Sequence, residues 1–251
     1  MGKRMLSAVG VIPARYGSSR LPGKALEVIA GRPLIQLVHE SAATARCLER
    51  VVVATDDQRI VDAVTRFGGS AVLTSPAHRS GSDRIAEAAA GIDCAIVVNI
   101  QGDEPLIHGE TIDAVVSALV GEPSLAVATV ATPLIGAHEA DDPNIVKVVR
   151  DLQGNALYFS RARIPYTRDA ARGNGSFMKH IGLYAYRKEF LLRFTRWPQT
   201  ELERREKLEQ LRILEHGVSI RVLETPYDSI GVDTPEDLER VRMLLAENKS
   251  C

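Results

Sequence analysis

A chain of 251 residues with 45% apolar and 25% charged side chains has the balance of a folded globular protein and the length to bury a substantial core. Its formal net charge of -1 excludes the broad basic excess that draws in polynucleotides, and favours a small anionic ligand met by a local cluster of cations. Cys47, Cys94 and Cys251 lack metal-ligand spacing and suit a reducing compartment. No apolar run approaches the about 18 residues of a membrane span, and residues 1–7 are charged without a following apolar region, so the expected address is the cytoplasm, with no nucleic-acid or membrane partner.

Residues 9–14 (VGVIPA) form a short apolar run of buried-strand type. The run breaks into a loop of glycine, serine and proline that carries Arg15, Arg20 and Lys24. Pro33 opens an amphipathic helix, with Leu34, Leu37, Val38 and Ser41 at helical spacing. Residues 50–55 are a second buried strand. Asp56 and Asp57 cap a helix through Ile60, Val61 and Val64 to Phe67, and Gly68-Gly69 ends it. Residues 71–73 make a third short strand, 75–84 a polar loop, and an alanine-rich helix follows to about Ala90. The most continuous apolar run, 94–100, reads as a central parallel strand leading into Gln101-Gly102-Asp103-Glu104-Pro105. This alternation predicts a doubly wound α/β fold, a mostly parallel twisted sheet flanked by helices.

From about Leu125 the rhythm changes. Residues 125–130, 145–149 and 156–159 are strand-like with no clear helix between them, and 173–176 (GNGS) is a turn. Residues 180–187 alternate, with His180, Gly182, Tyr184 and Tyr186 on one face and Ile181, Leu183 and Ala185 on the other. These pieces read as extra strands and a hairpin that cover the site or pair with another subunit. They make a smaller strand-containing lobe over about 126–218, beside a nucleotide-binding part over about 1–125. Thr200 and Glu203 match a capping box for one helix or two ending at Gly217. A strand over 219–223 and a helix begun by Thr234, Pro235 and Asp237, striped by Leu238, Val241, Leu244 and Leu245, return 219–251 to the main part of a single domain.

The loop after the first strand is neither a Walker A motif nor a dinucleotide fingerprint. Five residues separate Gly17 from Gly23, Ala25 stands where a magnesium-binding hydroxyl is needed, and no G-x-G-x-x-G is present. Cations among glycines and serines still favour a triphosphate site over a solvated connection. Asp103, at the end of the most apolar strand, is either a seat for Mg²⁺ or a turn aspartate bonding its own backbone. Asp233 is its natural partner and Asp228 a competitor; Glu104 reads as supporting. Ser80 to Arg84 open a helix whose amides hold a phosphate or base edge, or are simply capped by Ser80 or Ser82. His180 and Tyr184 share a strand face with Arg161 nearby, as a polar ligand wall or as satisfied structural groups. Arg163, Arg168 and Arg172 read as exposed charge. Glu209, Arg212 and His216 read as a solvated helix face, and Trp197 as a packing anchor.

The stretches VIPARYGSSRLPGKAL (11–26), VVVATDD (51–57), HRSGSDRIAEA (78–88), VNIQGDEPLI (98–107), ALYFSRARIPY (156–166), KHIGLYAYR (179–187), KLEQLRILE (207–215) and GVDTPEDLERVR (231–242) closely resemble the 3-deoxy-manno-octulosonate (Kdo) cytidylyltransferases, or CMP-Kdo synthetases. The first and fourth mark the wider cytidylyltransferase group; HIGLYAYR and LEQLR are more specific to the Kdo enzymes. The resemblance implies a nucleotide-diphospho-sugar transferase-like fold and an enzyme that joins CTP and Kdo into CMP-Kdo and pyrophosphate with Mg²⁺, as a homodimer serving lipopolysaccharide synthesis. It implies nucleotide contacts from Ala14, Arg15, Ser18, Ser19, Lys24, Arg79, Ser82 and Gln101. It also implies sugar contacts from Gln101, Arg161, His180, Tyr184, Glu209 and Gln210, metal ligation by Asp103 and Asp233, and catalysis through Lys24, Arg15 and Asp103. Ser82 stands where threonine is common and keeps the hydroxyl; Arg163 stands where a small residue or proline is common and receives no role. A cytidylyltransferase for an amino-Kdo or a sialic acid is the second reading, HIGLYAYR and LEQLR arguing against the latter. A non-catalytic nucleotide sensor is the third, with Asp103, Asp233 and Lys24 all present against it.

Overall fold

The computed structural model describes residues 6–17, 21–134, 136–168 and 177–247. Strand β1 (Ala8–Ala14) is apolar on both faces and lies inside the sheet: Ala8, Ile12 and Ala14 enter one hydrophobic cluster, Val9 and Val11 the other. A short ribbon of β2 (Val28–Ile29) and β3 (Arg32–Pro33) precedes the expected alternation of α1 (Leu34–Ala42), β4 (Leu48–Thr55), α2 (Gln58–Arg66), β5 (Ser70–Leu73), α3 (Gly81–Ala90) and β6 (Ile96–Asn99). Strand β1 pairs in parallel with both β4 and β6, and β4 with β5. Asp57 caps α2 by accepting from the Arg59 amide at 2.9 Å.

Then come α4 (Gly109–Gly121), β7 (Val127–Pro133), β8 (Lys147–Arg150), β9 (Ala156–Ser160), β10 (Met178–Arg187), α5 (Lys188–Phe194), α6 (Glu201–Glu206), α7 (Gln210–Glu215), β11 (Arg221–Glu224) and α8 (Pro235–Glu247). The strand order is β11-β7-β10-β6-β1-β4-β5. Strand β11 runs parallel to β7, and β10 runs antiparallel to both β6 and β7. The mostly parallel α/β expectation therefore holds. Apolar residues of α1, α2, α4 and α8 cover one face of the sheet; those of α3, α5 and α7 cover the other.

The region after residue 125 differs from its reading as cover. Strands β7 and β10 sit within the main sheet, and only the antiparallel β8–β9 hairpin stands off its path, joined to β10 where Lys147 faces Lys179. The reason is burial on both faces of β10: Ile181, Leu183 and Ala185 enter one core cluster, Tyr184 and Tyr186 the other. Two helices lie outside the sequence reading. They are α4, which buries Ile112, Val115, Val116 and Leu119 at helical spacing, and α5, which buries Phe190, Leu191 and Phe194. The expected turn at 173–176 and Arg172 lie outside the described residues. No described helix is long and apolar enough to cross a membrane.

From β1 the chain winds through β4 and β5 on one side, then returns to β6 on the other. The carboxyl ends of β1 and β6 thus flank the switch point where open α/β sheets bind ligands. The chain leaving β6 lies close against the end of β1: a Cβ on Gly102 would lie 2.7 Å from the Pro13 carbonyl oxygen. Gly102→Ala should push this segment off β1 at a cost of about 1–3 kcal/mol, read as a lower thermal midpoint together with weaker nucleotide binding.

Candidate active site

The basic loop is pinned at both ends. The Gly23 amide donates to the Tyr16 carbonyl at 3.0 Å, and Gly23 adopts a left-handed φ of 73° with the Tyr16 ring packed against it. The Arg59 guanidinium lies 3.3 Å over the Tyr16 ring while gripping Asp57 through Nε and Nη2. Lys24 begins the single 3-10 turn that follows and reaches across the crevice. Its Nζ donates to Asp103 Oδ2 at 2.7 Å and to Asp233 Oδ1 at 3.0 Å.

The two aspartates come together through the backbone: the Val232 amide donates to the Asp103 carbonyl at 2.8 Å. Thr234 and Asp237 take over the start of α8, Asp237 Oδ2 accepting from the amides of Asp233 (3.0 Å) and Thr234 (2.9 Å). That leaves the Asp233 carboxylate facing Lys24, as its position before the helix predicts. The competitor Asp228 instead pairs with Lys179 at 2.7 Å. No cluster of three or more His, Cys, Asp or Glu among the described residues is arranged to hold a metal. Two carboxylates converging on one cation nevertheless fit Mg²⁺, which takes one or two protein carboxylates and completes its shell with phosphate and water oxygens.

Around this junction lie two cavities. The smaller, ≈ 340 Å³, is lined by Ala14, Arg15, Lys24, Arg79, Gln101, Asp103 and Asp233, joining most of the expected nucleotide residues. Ser18 and Ser19 lie outside the described residues. Its edge is the start of α3, where Ser80 and Asp83 form a reciprocal capping box. The larger, ≈ 970 Å³, is lined by Arg161, His180, Tyr184, Glu209 and Gln210, the expected sugar residues. Gln101 and Asp233 line both cavities. Ser82 departs from the expected nucleotide side: it lines the larger cavity, and its hydroxyl donates to Glu209.

The larger cavity is polar but mostly uncharged at its floor. His180 Nε2 lies 3.0 Å from Thr129 Oγ1, which donates to the Leu183 carbonyl at 2.7 Å. Thr129 therefore accepts from His180, which assigns the Nε2–H tautomer. Burial pushes the His180 imidazole down to about 3. Burial, reinforced by the Asp103 charge, pushes the Glu104 carboxyl up to about 7, and Ser229 donates to it at 2.9 Å. Three buried atoms in this wall, Asn99 Oδ1, Tyr184 Oη and Glu209 Oε1, have no hydrogen-bond partner. Each such atom calls for a partner from outside the chain, a water or a bound ligand. Asn99 escaped the sequence reading, although a lone amide within the apolar run 94–100 was a usable signal.

Two surface readings are overturned. Glu209 and Arg212 are not a solvated face: Arg212 is buried and grips buried Glu203 through Nε and Nη2, and burial raises the Glu209 carboxyl above its ordinary range. Arg163 is half-buried over the Phe177 ring with an ion pair to Asp141, while Arg168 is exposed. Trp197 does anchor packing, edge-on to Phe190 and Phe194 and stacked on His216 at 4.2 Å.

Cations poised for phosphates, carboxylates poised for a cation, and an adjoining polar cavity define an α/β domain that brings a phosphorylated ligand and a second small molecule together. The sequence model described as Cytidylyltransferase matches residues 9–220, and the chain belongs to that family, among its 3-deoxy-manno-octulosonate cytidylyltransferases. The protein of that name from Syntrophotalea carbinolica is 53% identical over 94% of this chain and 97% of its own length. That from Syntrophobacter fumaroxidans is 54% identical over 96% of this chain and 97% of its own. A solved structure of CMP:2-keto-3-deoxy-manno-octonic acid synthetase complexed with CTP superposes with a TM-score of 0.92 at 44% identity, covering 96% of this chain and 99% of that one.

The His180 geometry predicts that its imidazole NMR signals do not titrate between about pH 8 and 5, across the ordinary histidine value of about 6.5. Because its folded value is depressed, the unfolded chain binds the extra proton first. The stability tied to neutral His180 is complete above about pH 6.5 and is lost as pH falls toward 3.

Proposed function

We propose that this chain joins CTP and Kdo to give CMP-Kdo and pyrophosphate, the Kdo anomeric hydroxyl attacking the CTP α-phosphorus in line. The observation that carries the reading is the meeting of two cavities at Gln101 and Asp233, beside the Lys24–Asp103–Asp233 cluster. Names and titles of similar proteins, including one complexed with CTP, support the same pair of substrates. The smaller cavity takes the nucleotide, with Arg15, Lys24 and Arg79 against its phosphates. The larger takes the acidic sugar, with Arg161 for its carboxylate and neutral His180, Tyr184, Glu209 and Gln210 for its hydroxyls.

Mg²⁺ held by Asp103 and Asp233 would neutralise phosphate charge and lower the pKa of the attacking hydroxyl. Lys24 changes partner as the triphosphate arrives, moving from the carboxylates to the phosphates, so the crevice exchanges one set of charge pairs for another without a bare charge. Gln101, anchored by its amide on the Gly182 carbonyl at 3.1 Å, spans the boundary and aligns the two reactants. The reading includes a homodimer, supported by exposed Leu152, Leu157 and Tyr166 around the β8–β9 hairpin. It also includes a place in lipopolysaccharide synthesis in the cytoplasm.

Asp103→Asn should cut pyrophosphate release from CTP plus Kdo by about 100-fold or more with an unchanged circular dichroism spectrum; near wild-type turnover would overturn the assignment. A parallel panel of Kdo, 8-amino-Kdo and a sialic acid reads the sugar directly, and preference for either of the latter two replaces Kdo. Lys24→Met should move two measurements in opposite directions. Turnover falls, while Mn²⁺ binding to the nucleotide-free protein, followed by electron paramagnetic resonance, tightens by about tenfold, because the two carboxylates lose their resident cation.

A further inference from the structure

One buried charge, bonded to residues of the larger cavity's wall, has no part in the chemistry above. Lys147, on β8, is completely buried at 0% exposure, yet its ammonium is fully used. It donates to the carbonyls of Asp142 at 2.8 Å, Ile145 at 2.7 Å and Arg161 at 2.6 Å. Three N–H groups meet three acceptors, a match that only the protonated amine provides. Deprotonation would remove one of these three donors, which favours the charged amine although burial pulls the lysine below its ordinary range.

The three carbonyls belong to residues that line the larger cavity. Two lie in the turn before β8, and the third directly follows β9. Arg161 spans the same ground with its side chain: Nη1 donates to the Pro143 carbonyl at 2.9 Å and Nε to the Glu206 carbonyl at 2.8 Å. Its amide donates to the Glu206 carboxylate at 3.0 Å. Lys147 therefore holds both the main chain from which Arg161 springs and the turn that receives its guanidinium. Other N–H groups of that guanidinium remain for a ligand, since two of its five donors are used in these contacts.

We propose that Lys147 is a positioning residue for the acidic sugar: its tripod of carbonyl bonds sets Arg161 at the angle that receives the sugar carboxylate. The proposal rests on the larger cavity being the acidic-sugar site. A tetrahedral ammonium is required, because its three donors diverge toward three separate segments. Methionine fills the same space without donors, and the planar guanidinium of arginine cannot reproduce the tripod.

The test is steady-state kinetics in both substrates on Lys147→Met, Arg161→Ala and the double variant, with CTP binding measured by calorimetry. Lys147→Met should raise the KM for Kdo by about tenfold or more while KM and Kd for CTP stay within about twofold. In the Arg161→Ala background it should add little, because its effect runs through Arg161. A merely structural lysine would move both substrates together. An unchanged KM for Kdo, an equal rise for CTP, or full additivity with Arg161→Ala overturns the proposal. Should Lys147→Met not fold, Lys147→Gln keeps two donors and must give a smaller rise in the same KM alone; no rise overturns the proposal equally. A wild-type protein that binds CTP but turns over no acidic sugar overturns the substrate reading and the proposal with it. A wild-type that uses Kdo beside an indifferent Lys147 variant overturns the proposal alone.

Discussion

The ammonium of Lys24 between the carboxylates of Asp103 and Asp233 is the contact on which the arrangement of the crevice depends. It joins the loop after β1, the loop after β6 and the start of α8, across sequence separations of 79 and 209 residues. Its worth to stability is modest, since the three side chains remain 15%, 27% and 39% exposed and water screens them. Its importance is geometric. Two carboxylates brought this close repel unless a cation lies between them, so the fold must keep one there at every stage. Three features of the fold bring the groups to that point: β1 and β6 are neighbours, Gly102 lets the chain after β6 lie against the end of β1, and the Val232 amide bonds to the Asp103 carbonyl.

The reversed strand β10 does the second half of the work. Lying between β6 and β7, it carries His180 and Tyr184 into the larger cavity from the centre of the sheet, where the backbone is held on both sides. Its aromatic face continues as a stack. Tyr184 meets Tyr186 at 5.6 Å, Tyr186 meets Phe194 at 6.2 Å, and Trp197 closes on Phe194 at 5.9 Å. A cavity wall backed by this stack can present neutral hydrogen-bonding groups at fixed angles.

How far the sequence foretold this architecture depended on the range of the forces involved. Strands β1, β4 and β6 were legible because they are continuous apolar runs, Asp103 because it follows the most apolar of them, and Asp233 because it precedes a helix start that Thr234 and Asp237 supply. The role of β10 was not legible: alternation fixes which residues share a face, but not whether a second sheet partner covers it. Glu209 and Arg212 were misread for a related reason. Their helical spacing opposite leucines resembles a solvated face, and the partners that bury them come from other elements: Ser82 lies 127 residues from Glu209, and Glu203 sits on α6. Lys147 was invisible by the same logic, since a lysine among valines reads as a strand edge until three carbonyls are found around it.

Charge pairing then distinguishes the cations of the two cavity walls. Lys24 and Lys179 each meet a carboxylate, so each is neutralised in place. The hydrogen-bond acceptors of the Arg161 guanidinium and of the Lys147 ammonium are instead main-chain carbonyls. Carbonyls satisfy the donors but leave the net charge standing, and a half-buried site screens that charge less than open solvent does. Around Lys147 the charge is offset at a distance by the Asp142, Asp141 and Glu206 carboxylates. The half-buried Arg161 guanidinium, bonded to carbonyls through two of its five donors, keeps its charge and its other N–H groups for an anion in the cavity.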